Sequence, residues 1–346
     1  MVLGVCGFGF SGSGAVLDWL KDYPEVYVAD KMEFSFVYKP DGLGDLGNAI
    51  CYNPVRYFSS DSAIRRFIQY MKRSSGVYNH LTGGNFQKLF DTLLSNIIQI
   101  KWEGSTSVHN YQASTIDFLF RQYIPRKVRW HLKQKMNIVI HKSYWPEKEM
   151  YFSFLNEKEY LQYTKDFVSG IIATLTEGNT SDILALDQCF AANDPETSFR
   201  YFNNPMAITV IRDPRDNYLL AKKTLGYESS FIPRQRVEDF IIYYRGLMES
   251  RRYSIQSKNV VEVRFEDLIY NFEETITCLE NKIGLKHIAL ENHTHFNPKV
   301  SINNTQLWYK YPQYQKDIYI IEKELGEYLY PFERFEVKPV FNTNSF

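Results

Sequence analysis

MVLGVCGFGFSGSGAVLDWLK, residues 1–21, decides the fold. Met1 to Gly7 is an apolar run that reads as a buried strand. Gly7 to Gly14 is a tight glycine- and serine-rich turn, and Ala15 to Lys21 starts a helix. Strand, small-residue loop and helix N-terminus together hold phosphates well. Free backbone N–H groups point out of the first helical turn, where the helix dipole adds partial positive charge. The chain is therefore expected to bind a phosphorylated ligand at this loop.

Working outward, Val26 to Ala29 reads as a second strand that ends at Asp30, and strand–helix–strand implies a parallel α/β sheet. Further strands are expected at Asn137–Ile140, Ile183–Leu186, Ala207–Ile211 and Val260–Arg264. Each delivers polar residues at its C-terminal end, the edge where open parallel sheets bind ligands. Ser60–Met71 and Asn85–Ile100 carry apolar residues at helical spacing, and 59–134 reads as mostly helix with no clear strand. Longer helices are expected over Lys158–Leu175, Arg236–Ser250 and Phe272–Ile283. The expected fold is a single α/β domain over 1–346. Its P-loop-like central parallel sheet has about five strands flanked by helices, with a mainly helical insertion around 59–134.

Composition narrows the function. Forty basic residues balance forty acidic ones, which argues against a generic nucleic-acid binder but leaves room for a local basic pocket. The 26 Tyr and 25 Phe read first as core and second as stacking platforms for sugars. Cys6, Cys51, Cys189 and Cys278 form no CxxC and read as free thiols rather than zinc ligands or a disulfide framework. No run of about 18 apolar residues is present, and the N-terminus lacks a signal-peptide pattern. A cytoplasmic protein with no membrane span is expected, and no His, Cys or Asp cluster has metal-ligand spacing.

The loop admits three readings. Gly7 and Gly12 match the Walker A spacing, but Ser13 and Gly14 stand where its Lys and Ser/Thr belong. Gly7-Phe8-Gly9-Phe10-Ser11-Gly12 is a complete GxGxxG, with Asp30 placed as a ribose-binding acid; this supports a nicotinamide-dinucleotide oxidoreductase. In the third reading, Phe10-Ser11-Gly12-Ser13-Gly14 resembles the K/R-S-G-T-T loop of sulfotransferases, and that resemblance implies a phosphosulfate cradle.

Residues 211–222, IRDPRDNYLLAK, favour the third. Pro214 suits a helix start, and Arg212 at a strand end can grip a phosphate bidentately. The segment resembles the 3′-phosphate site of sulfotransferases that use 3′-phosphoadenylyl sulfate (PAPS). Residues 10–14 resemble that family's loop, and 260–284 resembles its strand, E-D-L, N-F and helix. The resemblance spans about two-thirds of the chain and is closest to bacterial carbohydrate-modifying members. It implies transfer of a sulfuryl group from PAPS to a saccharide hydroxyl, without a metal or a covalent intermediate. A nucleotide donor and a carbohydrate acceptor are the implied partners, with no nucleic acid.

The resemblance assigns Gly9, Phe10, Ser11, Gly12, Ser13, Gly14 and Ala15 to the 5′-phosphosulfate, and Arg212 and position 220 to the 3′-phosphate. Lys299 and Ser301 match a late loop that closes over it. Two positions depart from the family pattern: Phe10 replaces a cation, and Leu220 replaces a serine. Sulfuryl transfer leaves negative charge that something positive must stabilise; Lys142, Lys31, Arg215 and Lys299 are candidates. Glu33, shortly after the second strand, is the first candidate base and His141 the second, with Lys142 assisting the leaving group. An inactive nucleotide-binding protein is the other alternative.

Overall fold

The computed structural model describes residues 1–106, 114–139, 147–223, 231–253, 257–289 and 293–340. The chain divides into two compact units, one of Met1–Tyr38 with Leu175–Phe346, the other of Lys39–Thr174.

The first unit is built on β1 (Val2–Gly7), β2 (Val26–Ala29), β5 (Ile183–Asp187), β6 (Pro205–Ile211) and β7 (Val260–Arg264). They form one five-stranded sheet in the order β2-β5-β1-β6-β7, every pair parallel. All five C-terminal ends therefore share one edge. The strands are near-continuous apolar runs because both faces are covered. Leu3 and Val5 of β1 pack on Val16, Leu17 and Leu20 of α1 (Ser13–Leu20) and on Ile276 and Leu279 of α8 (Phe272–Ile283). Another core joins Ile211 to α6 (Pro214–Lys223), α7 (Val237–Glu249) and α9 (Gln315–Glu324) through Leu219, Phe240 and Ile321. Gly4 is glycine for packing: a Cβ there would stand 2.4 Å from the Phe190 ring.

The strand order separates two of the loop readings. In the dinucleotide-binding fold the first strand lies beside the second. Here β5 lies between β1 and β2. Asp30, the expected ribose ligand, is held by Lys21 at 2.6 Å.

The second unit contains β3 (Ile100–Gly104) paired antiparallel with β4 (Lys148–Phe152), and helices α2 (Arg56–Leu81), α3 (Phe86–Ile97), α4 (Ile124–Met136) and α5 (Glu157–Leu175). Its core is aromatic: Phe86, Phe90 and Phe167 are in mutual ring contact, and Phe67 packs on Phe90. Two expectations are corrected here. The segment 59–134 does contain a strand, β3, whose Ile100 and Trp102 are exposed rather than buried, so its alternation lacked a core face. Residues 137–139 of the expected Asn137–Ile140 strand are irregular. Asn137 ends α4 at φ 52°, and Ile138 and Val139 are exposed. A short apolar run becomes a strand only where a sheet accepts it.

No helix among the described residues is long and apolar enough to cross a membrane.

Candidate functional site

The loop between β1 and α1 is held by side chains from three other segments. Gln188, at φ 49° just past β5, accepts from the Gly7 N–H at 3.2 Å and donates to Ser13 Oγ at 3.0 Å. Asn217 of α6 donates to the Gly9 carbonyl at 2.6 Å, and Arg212 Nη1 donates to the Phe10 carbonyl at 3.1 Å. Phe10 reaches this arrangement at φ 60°. The loop carbonyls are thus engaged by side chains, while no side chain caps α1. The Ala15 N–H is spent on the Gly12 carbonyl at 3.0 Å, and the Ser13 and Gly14 N–H groups are left to water or a ligand. Gly12, at φ 91°, has no room for a side chain, since a Cβ would lie 2.4 Å from buried Phe265.

A cavity of about 600 Å³ opens at this loop. Gly12, Gly14 and Ala15 form one wall, Arg212, Leu220 and Phe265 another, and Ser301 and Asn304 a third. Five of the positions selected from sequence therefore meet Arg212 around one volume, from three distant segments. Arg212 is buried; its guanidinium lies 4.4 Å above the Phe265 ring and donates through Nη2 to the Asn304 carbonyl. Its Nε is buried without a partner. Burial pushes its pKa down, against the pull of Asp216, Glu266 and Asp213. Two of its five N–H groups are spent on carbonyls, which leaves others to bind an anion at the cavity wall.

Behind Arg212 lies a buried polar cluster. Asp213 caps α6 by accepting from the Arg215 N–H at 2.8 Å, and it pairs with the Arg215 guanidinium through two bonds of 2.9 and 2.7 Å. Arg215 also binds Glu322 and stacks on Trp308, so it is committed to structure and is not the missing cation. Asp216 accepts from the Gln306 and Leu307 N–H groups at 2.9 and 2.8 Å, which anchors the late segment over the cavity. Glu266 accepts from the Asp213 N–H at 2.9 Å. Burial, then repulsion from Asp213, lifts the Glu266 carboxyl to about 8, with Arg212 opposing. Burial also raises Asp216.

The other selected residues fall differently. Gly9, Phe10, Ser11 and Ser13 shape the loop but do not line the cavity. Ser11 Oγ is buried without a partner, 2.1 Å from where a Cβ on Gly7 would stand. Lys299 is exposed beside the lining residue Val300 and is not itself a lining residue. Lys31 is exposed. Glu33 is exposed on the same sheet edge, where the Phe34 N–H donates to the Asp187 carbonyl at 2.8 Å, but it does not line the cavity. His141 and Lys142 lie outside the described residues.

Seven lining residues were missed: Asp18, whose carboxylate is paired with Lys21 at 2.8 Å, Phe265, His295, Phe296, Asn297, Val300 and Asn304. Phe265 supplies the floor. Asn297 lines the late wall and caps the turn Pro298–Ser301. His295 stands at the rim, its Nδ1 2.7 Å from Asp22. Desolvation pushes the Asp22 carboxyl up, but bonds from His295, Thr294 and His293 outweigh it and hold it at about 2. The closely spaced histidines of 293–295 were the available signal. Among the described residues no group of His, Cys, Asp and Glu is arranged to hold a metal ion. No family model matches the chain, and no curated protein matches it in sequence.

Proposed function

We propose that the chain is a sulfotransferase that moves a sulfuryl group from PAPS to a hydroxyl, with a saccharide as acceptor. The observation that carries this reading is the convergence of the loop wall, buried Arg212 and the late segment on one cavity. In this reading Arg212 grips the 3′-phosphate bidentately. The N–H groups at the start of α1 cradle the 5′-phosphosulfate. The acceptor oxygen attacks sulfur in line, the bond from sulfur to the phosphate oxygen breaks, and adenosine 3′,5′-bisphosphate leaves. Glu33 or His141 takes the acceptor proton.

Phe10 brings no cation to the leaving phosphate. The dipole of α1, equivalent to roughly half a positive charge at its N-terminus, supplies the field instead. Leu220 lines the cavity where a hydroxyl would add a 3′-phosphate contact, so Arg212 carries that phosphate with the late segment.

Calorimetric titration with adenosine 3′,5′-bisphosphate and, separately, with NAD tests the proposal. Saturable binding of the bisphosphate and none of NAD is expected. Tight NAD binding without the bisphosphate would overturn it.

A further inference from the structure

The second unit carries its own charged groove, wholly within Lys39–Thr174 and lined by α2 and β4. Its volume is about 630 Å³. Arg65, Ile68, Gln69, Lys72 and Arg73 of α2 form one wall. They recur at i, i+3, i+4, i+7 and i+8, which places them on one helix face. Eight residues at 1.5 Å rise spread that face over about 12 Å. Lys148 and Tyr151 of β4 form the other wall.

The charges divide into a fixed part and an open part. Arg65 is fixed: its Nε binds both oxygens of Asp61 at 3.2 and 3.0 Å, and Nη2 donates to the Glu149 carbonyl. Asp61 is buried and also accepts from the Tyr151 N–H at 2.9 Å, so helix and strand are joined at the floor. Glu149 raises the Tyr151 phenol to about 12, after burial as the larger cause, and is the other acid beside the groove. Lys72, Arg73 and Lys148 are exposed, and no ion pair engages them among the described residues. Three cations outside any ion pair among the described residues thus share the groove with Ile68 and Gln69.

We infer that this groove binds an acidic oligosaccharide, the acceptor class of the sulfotransferase proposed above, on which the inference rests. One phosphate or sulfate ion would engage one or two of these cations; a ligand with anionic groups spaced along a chain engages all three. Ile68 offers an apolar surface to a pyranose face, and Gln69 offers an amide to its hydroxyls. A nucleic-acid strand fits less well, because single-stranded binders need open aromatic faces for bases. The Tyr151 ring instead receives the Arg65 guanidinium at 5.1 Å and the Lys101 ammonium at 5.9 Å.

The test measures binding of a uronic-acid-containing hexasaccharide to the full chain by fluorescence anisotropy. Its carboxyl-reduced analogue and a dodecameric oligothymidylate are compared at two salt concentrations. Lys72→Ala, Arg73→Ala and Lys148→Ala should each weaken the acidic sugar about two- to fivefold, and the triple variant about thirtyfold. Lys72→Arg should retain binding. Adenosine 3′,5′-bisphosphate affinity should stay within about twofold in every variant. An unchanged triple variant, equal binding of the reduced sugar, or tighter binding of the oligothymidylate through the same residues would overturn the inference. Each of those results leaves the bisphosphate titration standing, so failure here is distinct from failure of the nucleotide site.

Discussion

Arg212→Ala is expected to weaken adenosine 3′,5′-bisphosphate about a hundredfold. A hydrogen bond to a charged group contributes about 1.5–3 kcal/mol, and a bidentate grip supplies two; a loss of about 3 kcal/mol is roughly two orders of magnitude in affinity. The side chain is buried and also ties the Phe10 and Asn304 carbonyls, so the alanine variant should melt earlier as well. Arg212→Lys separates the two effects. It keeps the charge but loses the planar fork, and should recover only part of the affinity while restoring most of the stability. Calorimetry with melting curves checks both. Affinity within threefold of the parent in Arg212→Ala would remove the residue from the phosphate site.

The other large effect is on stability against pH. Glu266 has its ordinary value near 4.5 in the unfolded chain and about 8 in the folded one. The folded state therefore holds a proton that the unfolded state releases. This contribution is fully present below pH 4.5 and is lost as pH rises through 8. The slope across that window is about −1.4 kcal/mol per pH unit for one group. Glu266→Gln keeps an acceptor for the Asp213 N–H and removes the titration. Between pH 6 and 8.5 the parent should lose unfolding free energy by several kcal/mol, at about 1.4 per pH unit, while the variant declines far less. Asp216, raised in the same direction, leaves the variant a residual slope of the same sign. Parallel curves in denaturant titrations across this range would show that Glu266 is ionised in the folded protein.

Much of the first unit was legible because buried parallel strands announce themselves. Runs such as Ile183–Leu186 and Ala207–Ile211 have no polar alternation, since both faces are covered. Val260–Arg264 and Phe272–Ile283 matched the structure to the residue. The loop was legible for a local reason: its glycines and the following helix start are contiguous. Position 212 was legible because a strand end, Asp213 and Pro214 together dictate a helix start.

What was not legible depends on partners distant in sequence. Gln188 looked like a residue at a strand end, yet its amide joins Gly7 to Ser13 across 175 or more positions. Phe265 becomes a cavity wall only once β7 stands beside β6. Arg215 read as a free cation, and only the fold shows Asp213, Glu322 and Trp308 closed around it. Ile100–Gly104 failed for a different reason, because its apolar side chains face solvent and mimic no buried pattern.

The most direct measurement is a crystal structure with adenosine 3′,5′-bisphosphate bound. The 3′-phosphate is expected within about 3 Å of the Arg212 guanidinium, and the 5′-phosphate on the Ser13 and Gly14 N–H groups at the start of α1. A nucleotide bound elsewhere, or with its 3′-phosphate away from Arg212, would contradict it.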